Sequence, residues 1–261
     1  MDAEVITGIH AVEEALAGGE PLIALHVGAG RKNDPATRAI IERATAASVP
    51  IHYETDAYFR RYASQRHQHV AALAHPFRYA PWSDVRDAVR GDAQALVVVL
   101  DHLEDPHNVG AVIRNAECAG ATAAVIADRR SALVTPAVRR AAAGAASHLR
   151  VACVPNLARS LEDLKADGCW VYGLSATADA SAYADVDYGG RCVFVVGAEG
   201  KGISRLISQR CDRLIAIPLA GKTASLNASS AVAIALFEAL RQRTYGRSAS
   251  SPQAAQKPVN P

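Results

Sequence analysis

Residues 95–100 read Ala-Leu-Val-Val-Val-Leu, six apolar positions in a row, three of them β-branched. A run this short and this uniform fits a strand covered on both faces, as in a parallel sheet; a strand with one wet face would alternate. Comparable runs recur at 122–127, 150–154, 170–174, 192–196 and 213–217, with helical patterns between most of them. Residues 93–245 are therefore expected to form an open α/β sheet with helices on its faces. No such run approaches the ~20 residues that cross a bilayer, so a soluble chain with no membrane partner is expected.

Ahead of this unit, residues 1–75 alternate helix and strand patterns: helix at 10–16, strand at 22–27, helix at 37–47, strand at 50–53, helix at 56–64, strand at 69–73. That is a smaller α/β domain. Residues 76–92, interrupted by Pro76, Pro81 and Gly91 and rich in charge, read as a linker. Residues 246–261 have almost nothing to bury and read as a disordered tail. With 261 residues, half of them apolar, the chain can support two such domains.

The charge balance of 28 basic against 26 acidic residues gives +2. The first 75 residues hold 7 basic and 9 acidic, so −2. Any nucleic-acid surface must then be local. Five cysteines without CxxC spacing predict a reducing cytoplasm and no zinc site, four of them packing as small buried residues. The six histidines of the first 75 residues lack an i, i+4 pair with an acidic partner, so no metal is expected. The opening MDAEVITGIH has acidic residues where a secretory signal would be basic.

Three stretches carry chemistry. The first, 101–110, runs from the end of the 95–100 strand into a helix whose buried face is Val109, Val112, Ile113 and Ala116. Arg114 lies off that stripe and leans back over Gly110 and Ala111, toward the positive helix end and Asn108. This makes either an anion site or an exposed arginine paired with Glu117. The second, Gly197-Ala198-Glu199-Gly200-Lys201-Gly202-Ile203-Ser204, sets three glycines after a buried strand. They allow close approach to a ligand or simply make a turn, with Glu199 held in the loop. The third, 219–240, opens with Ser225, Asn227, Ser229 and Ser230, more caps than one helix start needs, and continues as a helix through Val232, Leu236 and Leu240. No GxGxxG follows the first strand, and Gly221-Lys222-Thr223 lacks the leading glycine of a P-loop, which excludes both motifs and argues against NAD and ATP.

Together DPHNVGAVIRNAECAG at 105–120, GAEGKGIS at 197–204 with RLIAIPL at 213–219, and SLNASSAVAIALFEAL at 225–240 resemble the three motifs of the SpoU/TrmH family, in the family's order. These are S-adenosylmethionine-dependent RNA ribose 2′-O-methyltransferases. Gly8 to Glu13 and His67 to Ala71 resemble the substrate domain of the two-domain, RlmB-type subgroup, whose members methylate a guanosine of 23S ribosomal RNA. Thr7 and His69 depart from it, standing where Tyr and Gly are usual.

The resemblance implies a C-terminal α/β-knot (trefoil-knotted) domain and an L30e-like N-terminal domain. It also implies a cytoplasmic homodimer, RNA as partner, S-adenosyl-L-methionine as cofactor and no metal. Residue by residue, it implies that Arg114, Asn108 and Glu199 are catalytic. It places the cofactor on Gly197, Ile217 and Leu226, with Ser225, Asn227, Leu174 and Gly200 beside them. Transfer RNA as target, or a silent RNA-binding protein on the same scaffold, are the alternatives.

Overall fold

The computed structural model of the chain describes residues 3–63, 66–177, 179–223 and 225–246; the expected tail after Gly246 lies outside the described residues. The first unit runs β1 (Glu4–Thr7), α1 (Ile9–Ala17), β2 (Leu22–Gly28), α2 (Pro35–Ala46), β3 (Ile51–Glu54), α3 (Asp56–Phe59) and β4 (Val70–Ala74). Its sheet has the order β1-β4-β2-β3, with β4 antiparallel to both β1 and β2, and β2 parallel to β3. Alternate β2 residues Leu25 and Val27 meet Val12 of α1 and Ile40 of α2 in one core. Asp34 fixes the start of α2 by accepting from the Thr37 amide, and Pro35 follows at the first helical position.

β1 was not visible as a pattern, since four residues are too few to show a period. The helix expected over 56–64 ends at Phe59 and tightens into a 3-10 turn over Arg60–Tyr62; Ser64 lies outside the described residues. At His69, where the resemblance leads one to expect glycine, the backbone has φ 57°, the left-handed region glycine favours, and Gln68 has φ 47°.

The second unit continues with α4 (Trp82–Gly91), β5 (Leu96–Asp101), α5 (Pro106–Cys118), β6 (Ala123–Ala127), α6 (Pro136–Ala141), β7 (Arg150–Val154), α7 (Leu157–Ala166), β8 (Trp170–Leu174), β9 (Ser181–Ala182), β10 (Cys192–Gly197), α8 (Arg205–Ser208), β11 (Arg213–Ala216) and α9 (Ala228–Tyr245). Its seven strands lie in the order β7-β6-β5-β10-β8-β11-β9, all parallel. The β5 run is buried on both sides as its composition requires. Leu96, Val98 and Leu100 face a core shared with α5, α6 and α9, while Val97 and Val99 face one shared with α4, α7 and α8. Cys169 and Cys192 are buried, Cys153 and Cys211 half-buried and Cys118 exposed, all as free thiols. Burial pushes the Cys192 thiol up to about 11.

The two units touch through arginines of α6. Arg139 reaches Glu4 at 2.8 Å and Glu20 at 2.5 Å and donates to the His75 carbonyl at 3.2 Å, and Arg140 pairs with Glu14 at 3.0 Å. Burial raises the carboxyls of Glu4 and Glu20 above their ordinary range despite Arg139.

The stretch read as a linker is corrected by α4. Its charged residues Asp84, Arg86, Asp87 and Arg90 hid a helix whose Val85 and Val89, four apart, are fully buried. Arg86 makes a two-pronged bond to Asp167 after α7 at 2.7 and 2.9 Å, and Trp82 Nε1 donates to Asp163 at 3.0 Å. The hydrogen bond from Arg86 holds the Asp167 carboxyl below its ordinary value. A depressed folded pKa stabilises at pH above the unfolded aspartate range, and that contribution is lost as pH falls through the folded value. Asp167→Asn is therefore expected to lower stability at neutral pH and to flatten the acid limb below about pH 4, measured by urea unfolding across a pH series. An unchanged acid limb would refute this role.

Candidate active site

The C-terminal ends of β5, β10, β8 and β11 lie side by side, so the loops that follow them open at one edge of the sheet. Leu174 ends β8 opposite Ile215 of β11, Gly197 ends β10 opposite Asp101, and Ile217 follows β11 directly. Asp105 caps α5 by accepting from the His107 amide at 3.0 Å, with Pro106 at its first position, and so brings Asn108 to the same edge. Of the four candidate caps of α9, Asn227 is the one used: its Oδ1 accepts from the amides of Ser229 at 2.9 Å and Ser230 at 3.4 Å.

The amide end of the same side chain joins the three motifs. Asn227 Nδ2 donates to Asn108 Oδ1 at 2.8 Å and to Glu199 Oε1, and Asn108 Nδ2 donates to that same carboxylate oxygen at 3.3 Å. Three side chains 91, 28 and 119 positions apart in the chain thus close a triangle. Asn227, expected beside a cofactor, is tied first to Asn108 and Glu199. The carboxylate also sits at the positive end of the α9 dipole.

Arg114 is exposed on α5 and makes no hydrogen bond or ion pair with the described residues, so the pairing with Glu117 is not formed. Its neighbour Asn115 donates to the Ser229 carbonyl at 3.1 Å, which fastens α5 to the first turn of α9. Arg114 stands about 100° further round the helix, free to reach outward. Ser225 and Leu226 are exposed in the segment leading to the cap.

The glycines of the second motif are accounted for by the loop itself. A Cβ on Gly197 would lie 2.0 Å from the Gly202 carbonyl oxygen, and Gly200 and Gly202 have φ 72° and 65°. The loop doubles back, with the Gly202 amide donating to the Ala198 carbonyl at 2.7 Å, and this turn presents Glu199 outward.

Two residues were not singled out from the sequence. Asp101 is fully buried at the end of β5 and accepts from the Ser204 amide at 2.6 Å and from His102 Nδ1, anchoring the glycine loop from below. Its signal was a single carboxylate closing an otherwise apolar strand. Asn115 had no signal, because an asparagine within a helix has many uses. Two clefts of about 460 and 440 Å³ lie elsewhere, one between the units beside Arg139 and one by Trp170 and Arg213.

Comparison with known proteins gives this edge its chemistry. Residues 95–237 match the SpoU rRNA Methylase family, and residues 5–80 match the RNA 2′-O ribose methyltransferase substrate-binding family. The chain is 39% identical over 248 residues, covering 94% of itself and 98% of the relative, to the 23S rRNA (guanosine-2′-O-)-methyltransferase RlmB of Pseudomonas syringae pv. tomato. It is also 39% identical to an uncharacterized tRNA/rRNA methyltransferase of Synechocystis, over 94% of this chain but only 64% of that relative's length. The structure of an RNA 2′-O ribose methyltransferase aligns over 92% of this chain and 88% of its own, with TM-score 0.62 and 27% identity. The fold is shared with the SpoU methyltransferase AviRb of Streptomyces viridochromogenes, solved with AdoMet (TM-score 0.65, 23% identity, 94% of this chain and 92% of that one). These matches define the class as RNA ribose 2′-O-methyltransferases that use S-adenosylmethionine. Within it, the chain belongs to the SpoU family.

The edge fits such a donor. Residues 218–223, 225 and 226 make no backbone hydrogen bond with the described residues, which leaves a row of amides and carbonyls open beside the strand ends. Leu219 and Leu226 on the same segment are 40% and 37% exposed, apolar surface that an adenosine ring would cover.

Removing the buried anchor tests this construction. Asp101→Ala leaves the Ser204 amide without its acceptor and is expected to lower stability by about 2 kcal/mol. Hydrogen exchange should show protection lost at Ser204 while β5 stays protected; a Ser204 amide as protected as before would exclude Asp101 as the anchor.

Proposed function

We propose that the chain methylates the ribose 2′-hydroxyl of a guanosine in 23S ribosomal RNA, working as a cytoplasmic homodimer. The observation that carries this reading is the Asn108–Glu199–Asn227 triangle, which gathers three motif loops at the open edge of the sheet. The 23S target is supported by the name and near-complete coverage of the Pseudomonas relative. The Synechocystis relative, named for both tRNA and rRNA, keeps transfer RNA as a second reading. Phe237 on α9, 45% exposed, offers an apolar contact for a second copy. The C-terminal helix α9 follows β11, which is separated from β5 by β10 and β8, and the family resemblance reads that return as a threaded knot.

S-adenosylmethionine, when bound, supplies an electrophilic methyl group. The backbone around Leu174, Gly197, Gly200, Ile217 and Leu226, with Ser225 and Asn227, would hold it. Arg114 cannot serve as a base at neutral pH, because a guanidinium keeps its proton. Its part is to grip the target phosphate and stabilise the negative charge that grows on the ribose oxygen as its proton leaves to solvent. Asn108 has its carbonyl and one N–H engaged in the triangle, so it holds the loop and leaves one N–H for the ribose. Glu199 fixes both asparagines.

Transfer of labelled methyl to 23S rRNA and to bulk tRNA, followed by mass mapping of the product, should mark one guanosine in 23S rRNA. Label in tRNA alone would overturn the target. Arg114→Ala should lower kcat/KM by about 100-fold or more. Arg114→Lys should recover only part, since a point charge lacks the fork. Glu199→Gln should lower single-turnover rate about tenfold with S-adenosylhomocysteine affinity, by calorimetry, nearly unchanged. Wild-type turnover in the lysine variant would reject the geometric role of Arg114.

A further inference from the structure

The first unit carries a feature that methyl transfer at the strand edge of the second unit does not use. His26 on β2 stacks on Tyr58 with ring centres 4.7 Å apart and planes 15° from parallel, and on His52 of β3 at 5.0 Å and 21°. Arg61 lays its guanidinium over the Tyr58 ring at 4.2 Å. Beside this run, Phe59 stacks on His67 at 5.4 Å and on His69 at 5.2 Å. His52 is exposed on β3, the edge strand of its sheet, so the linked planes end in water.

Packing alone does not explain the residue types. A histidine at 8% exposure gives up hydration that an apolar ring would not lose, and His26 Nε2 is buried with no partner among the described residues. His69 holds its ring against Phe59 from a backbone at φ 57°, where a side chain is strained.

The local charge is also arranged. The two acidic groups of the cluster are spent on histidines, Glu54 on His26 at 2.9 Å and Asp56 on His69 at 3.0 Å. Arg60 and Arg66 are exposed and form no ion pair with the described residues. A unit whose first 75 residues carry net −2 thus keeps exposed arginines on the two segments that carry the rings, Arg60 next to Phe59 and Arg66 next to His67.

Near-parallel rings ending in an exposed plane, flanked by guanidinium groups, match a nucleobase and its phosphates. Bases inside a duplex offer no free face, whereas loops and bulges do. We propose that the run Arg61–Tyr58–His26–His52 is a stacking site for one unpaired base of the RNA substrate, with Arg60 and Arg66 taking the neighbouring phosphates. This rests on the RNA-methylating reading above and adds to it the structural class of the target: a single-stranded loop or bulge held by the first unit.

Fluorescence anisotropy on the full chain tests it, with a labelled hairpin RNA carrying an unpaired loop and a blunt duplex of equal strand length, at fixed salt. His52→Ala should weaken hairpin binding by about 5- to 100-fold, the loss of one base stack, and leave duplex binding unchanged. His52→Tyr should restore hairpin binding. Arg60→Gln with Arg66→Gln should weaken both RNAs and reduce the salt slope. On 23S rRNA, His52→Ala should raise KM and spare kcat. Hairpin affinity untouched by His52→Ala, or hairpin and duplex weakened alike, would overturn the stacking site while wild-type methyl transfer keeps the reading it rests on. A wild-type chain that neither binds these RNAs nor methylates 23S rRNA would overturn both.

Discussion

Parallel strands all end at one edge of their sheet, and this constraint organises the second unit. Once β5, β10 and β8 are buried on both faces and β11 is paired beside them, the loops that leave them can only open along that edge. Segments far apart in the chain then meet without any attraction between them in sequence. The side-chain bonds that follow, Asn227 to Asn108 and Glu199, secure a meeting that burial has already arranged. Hydrophobic burial supplies the free energy and the amides supply the register.

Two supports lie beneath the visible motifs. Asp101 accepts from Ser204 below the glycine loop, and Asn115 reaches the Ser229 carbonyl beside the α9 cap. Asn115 leaves its exposed neighbour Arg114 free of structural duty on its own element. Arg114 in particular has no protein partner among the described residues, as a group meant to meet phosphate should. The first unit sits against α6 through Arg139, whose pairs with Glu4 and Glu20 are largely buried and so weakly screened by salt, and through the more exposed pair of Arg140 with Glu14.

The sequence alone made much of this legible. Uniform β-branched runs located the six principal strands of the larger sheet to within a residue, because double burial leaves no room for polar alternation. An apolar stripe located α5, and short polar caps ahead of an apolar helix located α9. What escaped were elements too short to show a period, β1 and β9, and α4, whose two buried valines were outnumbered by charges that turned out to be its solvent face and its clasp to Asp167. The glycines of the second motif admitted two readings, and the doubled-back loop accounts for them by its own turn.

Residue types and spacing determined on their own that the chain would build a parallel α/β sheet with Asn108, Arg114, Glu199 and Asn227 near strand ends and helix starts. Periodicity and capping are local, so they can be read in one dimension. Only the tertiary structure decided that Asn227 bridges Asn108 and Glu199, that Asp101 lies beneath them, and that histidines from β2 and β3 line up with Tyr58 into one run of rings. Such pairings depend on which strands become neighbours, a choice made by the packing of the whole sheet that no single stretch of chain contains.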